Sequence, residues 1–159
     1  MKSLRARLSA MMFAAAALLT PFVLGNEPDP NAVHYTLPEN IQWKKGPIRT
    51  LSCCMQGDMA KPGLYIQLMR WHPNNMSRPH THDAPRYVTV MSGTWWVGTG
   101  GKFDPDSTKP LPAGSYVVDQ PNELHYDGAK DQECVLMIMG MGPTTTSAPG
   151  KFEVGPIKK

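Results

Sequence analysis

Sixteen prolines and fourteen glycines cut this chain into many short runs, and that punctuation limits its fold more than any other feature. Both residues disfavour a helix interior. Proline lacks the N–H donor, and glycine loses the most backbone freedom. No stretch beyond the first 25 residues shows helical periodicity. Apolar, β-branched and aromatic residues gather instead at residues 49–55, 64–71, 86–91, 94–97, 115–119, 124–126 and 134–139, runs of strand length. Turn signals such as Lys61-Pro62-Gly63, Ser92-Gly93 and Pro121-Asn122 separate them. Residues 33–37 and 41–43 read as two short edge strands. The pattern predicts an all-β sandwich or barrel, and 159 residues suit one such domain with its own core.

The N-terminus reads differently. Lys2, Arg5 and Arg7 precede an apolar run from Met11 to Leu19, Pro21 breaks it, and small residues end at Gly25. That is the layout of a secretory signal peptide over residues 1–25, which predicts a periplasmic or secreted protein with no membrane attachment after cleavage. Those three basic residues also account for the formal charge of +3. Without them basic and acidic residues balance, so no basic patch argues for nucleic acid. Residues 26–47 then form a lead-in with edge strands, 48–142 the barrel and 143–159 a flexible Pro/Thr/Ser/Gly/Lys-rich tail.

An exported protein meets an oxidising compartment, which gives the cysteines meaning. Cys53 and Cys54 are neighbours and would point to opposite faces of a strand, so only one can meet Cys134. Two readings stand: one disulfide from Cys134 to either, or three thiols packed as small apolar residues.

His80 and His82 are two residues apart, which puts both imidazoles on one face of a strand. His125 follows in a later strand-like segment. Three converging neutral imidazoles make a metal site. His34 and His72 read as ordinary surface or core residues. Asp119, Gln120 and Glu123 read as surface polar groups, and Tyr87 and Tyr126 as packing away from the pocket. Met137, Met139 and Met141 share a strand face and, with Met55, Met69 and Met91, read as core packing. Trp95 and Trp96 alternate, so one should line the interior.

These motifs resemble the cupins, small jelly-roll β-barrels. The cupin first motif is Gly, five residues, His-x-His, three or four residues, Glu, six residues, Gly. Here His80-Thr81-His82 is followed by Arg86 and Gly93 at that spacing, with Arg86 in the place of the glutamate and Asn74 in the place of the first glycine. Gly114 and His125 keep the separation of the second motif, in which Gln120 replaces a proline, Asn122 a glycine and Ala129 an asparagine. Residues 93–100, 103–105, 112–115 and 125–130 further look like a subgroup of exported bacterial cupins, where arginine at the glutamate position looks normal.

The resemblance implies that His80, His82 and His125 point into the barrel and bind a divalent transition metal: Fe(II), Zn, Cu, Ni, Co or Mn. Arg86 then stands close to a dication. It turns outward onto an acid such as Asp83, or holds an anionic ligand against the metal, or marks a metal-free anion site. The expected function is a metal-dependent enzyme, dioxygenase-like or lyase/isomerase-like, acting on a small anionic molecule with Arg86 as a catalytic residue. The alternative is a non-catalytic binding or sensory barrel. Cupins are often dimers, so a homodimer is a further expectation.

Overall fold

The structure is a computed structural model that describes residues 32–46 and 49–157. The expected signal peptide lies outside the described residues. The chain divides into two units after Tyr35. In the first, residues 32–35 carry no regular element. The second holds thirteen strands among its described residues: β1 (Lys44–Lys45), β2 (Thr50–Gln56), β3 (Gly63–Trp71), β4 (Asn75–Ser77), β5 (Thr81–His82), β6 (Arg86–Ser92), β7 (Thr94–Thr99), β8 (Lys109–Pro112), β9 (Tyr116–Asp119), β10 (His125–Ala129), β11 (Cys134–Gly142), β12 (Thr146–Ser147) and β13 (Val154–Gly155). One sheet runs β1-β2-β3-β11-β6-β9 and the other β13-β4-β10-β7-β8, and β12 pairs with β5. The pairing is antiparallel throughout, as in an all-β jelly roll.

Strand β11 shows why. Its alternate side chains Cys134, Leu136 and Ile138 are buried. Leu136 and Ile138 lie between Met69 and Gln67 of β3 on one side and Val90 and Val88 of β6 on the other. With Tyr65, Trp71, Trp95 and Ala129 they form the core. Each large apolar side chain so buried contributes about 1.5–3 kcal/mol. The next inward position on β11 is Gly140, opposite Tyr65 and Arg86. A Cβ there would sit 2.6 Å from Tyr65 Oη, so the missing side chain makes room for the Tyr65 ring.

Gly93 joins β6 to β7 with φ +71°, and a Cβ on it would lie 2.0 Å from the Glu133 carbonyl oxygen. Only glycine fits such a corner. Asn74 and Asn122 stand where the cupin motifs have glycine. Both adopt left-handed backbone, φ 54° and 63°, which asparagine tolerates best among side-chain-bearing residues. Their N–H groups donate to the carbonyls of Lys130 and His82, each at 2.7 Å. At both motif departures the backbone is thus one that glycine also adopts.

Several expectations need correction. Residues 33–37 and 41–43 are not strands: only a 3₁₀ turn (Pro38–Asn40) and the two-residue β1 form there, and Val33, Tyr35 and Leu37 stay exposed with no partner strand among the described residues. Residues 143–157 are not a loose tail, since β12 and β13 pair with β5 and β4. No disulfide links Cys134 to Cys53 or Cys54; all three are free thiols. Strand β3 lies between β2 and β11, and two strand spacings of about 4.8 Å exceed disulfide reach. Nor are all three thiols packed away, because Cys54 is exposed. Met137 and Met139 are half-buried and Met141 is exposed, on the face of β11 opposite the core.

Candidate metal centre

The site begins with two backbone hydrogen bonds. His80 N–H donates to the His125 carbonyl at 2.9 Å, and His125 N–H to the His80 carbonyl at 3.0 Å. This bridge sets the two residues side by side, and the period-two alternation of β5 returns His82 to the same face. All three rings are buried, at 4, 3 and 6 % exposure for His80, His82 and His125. Ring centroids are 4.4–5.3 Å apart. One ring nitrogen of each lies within 4.8 Å of the other two, forming a group able to hold a metal ion.

The tautomers follow from the partners. His80 Nδ1 lies 2.9 Å from the Arg78 carbonyl oxygen, and His125 Nδ1 lies 3.1 Å from that of Glu123. A carbonyl only accepts, so each Nδ1 carries the hydrogen and each Nε2 presents a lone pair. His82 Nδ1 is 3.1 Å from Thr146 Oγ1. The Nε2 atoms of His82 and His125 are buried with no hydrogen-bond partner among the described residues. Burial holds the His82 imidazole down to about 2, with the Arg86 charge adding to the effect, and burial also lowers His80. Nδ1–H groups anchored on carbonyls at His80 and His125, and Nε2 atoms of His82 and His125 that lack a partner among the described residues, are the donor geometry a divalent ion requires. The residues present fit the metal.

Arg86 does not turn outward to Asp83. It points inward from β6, 7 % exposed, and its Nε donates to Asp119 Oδ2 at 3.0 Å while Nη2 donates to the same oxygen. The register explains the pair: Arg86 is the cross-strand neighbour of Asp119 on β9. Asp119 is therefore no surface group; it is 7 % exposed, with Oδ2 3.9 Å from His125 Nε2. Asp83 is occupied elsewhere. It accepts from Thr145 N–H, Thr144 Oγ1 and Thr145 Oγ1 at 2.7–2.8 Å, and these bonds hold its carboxyl down to about 2.

Asp127 was missed in the sequence, although its spacing from His125 repeats that of His80 and His82. It is 5 % exposed, and its Oδ1 lies 3.8 Å from His80 Nε2. A cavity of about 140 Å³ opens on His80, His82, Arg86 and Asp127, with Trp71 and Phe152 among its apolar walls. A second cavity of about 700 Å³ meets Asp119 and His125, with Gln120 and Glu123 on its exposed lining.

The remaining candidates fall outside the centre. His72 pairs with Glu133 at 3.1 Å, and His34 is exposed. Trp95 is the inward tryptophan, its Nε1 donating to Asp127 Oδ2 at 2.9 Å, while Trp96 lies under Lys130. Tyr87 is 39 % exposed, and Tyr126 donates to the Asp104 carbonyl away from the cavity.

The barrel and its inward histidine triad define a cupin. Residues 31–145 match the ChrR Cupin-like domain family, and the chain belongs to it. No curated protein matches in sequence. Among solved structures it is similar to the polyketide cyclase RemF from Streptomyces resistomycificus, with a TM-score of 0.61, 15 % identity, and coverage of 75 % of this chain and 87 % of that one. It is also similar to a cupin-like protein from Thermotoga maritima, with a TM-score of 0.51, 18 % identity and coverage of 64 % and 86 %. DMSP lyase DddQ from Ruegeria pomeroyi gives a TM-score of 0.55, 16 % identity and coverage of 69 % and 61 %.

Proposed function

We propose that this is an exported, metal-dependent cupin enzyme acting on a small anionic molecule, with His80, His82 and His125 as metal ligands and Arg86 as the substrate-orienting residue. The convergence of three buried imidazoles beside a cavity that also holds an arginine carries the reading. A divalent transition ion held by the triad would supply Lewis-acid chemistry and open coordination positions. The protein's own contribution is binding and orientation. Two N–H groups of Arg86 are engaged by Asp119, which leaves its Nη1 end to hold a carboxylate or similar anion. The 140 Å³ cavity is close to the size of an apolar cavity known to take benzene, so that side of the centre has room for a group of about six heavy atoms. Trp71, Trp95, Ile138 and Phe152 would exclude water from its apolar part. Lyase/isomerase-like or dioxygenase-like chemistry fits such a site, and the similar barrels of a cyclase and a lyase support the first.

A second reading, a non-catalytic binding or sensory barrel, draws on the same Arg86–Asp119 pair: an arginine already compensated does not need a reacting substrate. Metal analysis of the purified protein beside His125→Ala tests the centre. One ion per chain in the wild type and a marked loss in the variant are expected; equal content overturns the triad. Arg86→Gln should weaken carboxylate binding, and unchanged affinity removes Arg86 from substrate orientation.

A further inference from the structure

Two carboxylates flank the triad, and their surroundings differ. Asp119 is neutralised by Arg86. Asp127 is equally buried, yet among the described residues no lysine or arginine pairs with it. Its ionised form is held by neutral donors alone, Ser77 Oγ–H at 2.7 Å on Oδ1 and Trp95 Nε1–H at 2.9 Å on Oδ2. A buried charge without a counter-charge is expensive, and two hydrogen bonds offset only part of that cost. The nearest ionisable group is His80, whose Nε2 faces Asp127 Oδ1 at 3.8 Å. That nitrogen presents a lone pair, because Nδ1 carries the ring hydrogen and donates it to the Arg78 carbonyl in a hydrogen bond. Two electron-rich atoms therefore face one another across the wall of the cavity. A cation held by the triad relieves both.

We infer that Asp127 is the built-in counter-charge of the metal centre, taking over the role that the glutamate-to-arginine replacement at position 86 vacates. This rests on the metal reading above. Asp127 is a positioning residue: it acts on the ion from beside His80, outside the three-histidine group. It also sets what the loaded site will accept. The Arg86–Asp119 pair cancels, so a divalent ion together with Asp127 leaves one net positive charge. The ligand class that balances it is a monoanion with one small acidic head.

Asp127→Asn tests this, and it fits the site without leaving an orphan. The amide oxygen can accept from Trp95, and the amide N–H can donate to Ser77 Oγ, whose own hydrogen can turn to the Asp127 carbonyl at 3.2 Å. Cobalt(II) serves as the probe, added to wild type, Asp127→Asn and Asp127→Glu, with affinity and visible spectrum measured. Azide is then titrated into each cobalt form as a monoanion probe. Asp127→Asn should bind cobalt about 10–100-fold more weakly, the range for loss of an outer-shell partner, and bind azide about tenfold more tightly. Asp127→Glu keeps the charge and should hold azide affinity near wild type, which preserves the test if the asparagine variant folds poorly. A purely structural role predicts a lower unfolding temperature with both affinities unchanged. Equal cobalt and azide affinities in wild type and Asp127→Asn would overturn the inference and leave the triad standing. Failure of the wild type to take cobalt would overturn both.

Discussion

Removing the negative half of the Arg86–Asp119 pair should harm the protein more than removing both halves. The guanidinium and carboxylate are 7 % exposed each and share two hydrogen bonds on one oxygen. Deleting one partner of such a pair leaves a buried charge and costs about 3–5 kcal/mol, whereas replacing both with apolar groups of similar volume is often close to neutral. Arg86→Met and Asp119→Leu should each lose about that much, and the double variant far less than both losses combined, a coupling of about 3 kcal/mol or more. Urea unfolding reads this directly. At a slope of about 2 kcal/mol per molar, each single change moves the midpoint down by about 1.5–2.5 M. Asp119→Leu should also depress metal affinity, because a guanidinium without its carboxylate would repel a dication held by the triad; at an effective dielectric of about 20 and a separation taken as about 6 Å the repulsion would be about 5 kcal/mol. Single-variant losses that add to within about 0.5 kcal/mol in the double variant would refute the claim that these groups form one buried unit.

The remaining predictions concern the rings and the corners. His82 titrates far below its unfolded value of about 6.5, so the unfolded chain binds the extra proton first and stability falls as pH drops below about 6.5. From pH 7 to pH 5 His82 alone should cost the metal-free protein about 2 kcal/mol, and His82→Gln should flatten that part of a urea-midpoint profile. Gly93→Ala should lose more than about 2 kcal/mol by thermal or urea unfolding, since it meets both left-handed backbone and the Glu133 carbonyl. Asn74→Gly and Asn122→Gly should stay within about 0.5 kcal/mol of wild type, while the alanine variants lose about 1–2 kcal/mol in the same assay.

What could be read in the sequence was whatever depends on local period. Proline and glycine punctuation, alternation along β3, β6 and β11, and the His-x-His spacing each act over a few residues, and they located the main strands and the triad. What could not be read depends on partners far along the chain. Asp119 looks like any strand-end acid until β9 is laid against β6, which turns it onto Arg86. Strand β4 is short and polar, and only its place between β13 and β10 makes Asn75, Met76 and Ser77 buried. Strand β8 contains Pro110 and Pro112, which an edge strand tolerates and a central one does not. Periodicity fixes which residues share a face, not which face is covered, so the Met-rich face of β11 reads as core and lies on the opposite side.

The seating of β12 and β13 against β5 and β4 has a consequence in time. Synthesis proceeds from the N-terminus, and a nascent chain that has reached Gly142 already contains every strand of the six-stranded sheet and the three histidines of the triad. It still lacks Thr146, Phe152 and Val154, which line the inner cavity. At about 5–20 residues per second, the stretch to Gly155 takes about one to three seconds more. Until those residues take their places, the inner cavity lacks the wall that they supply beside the imidazoles.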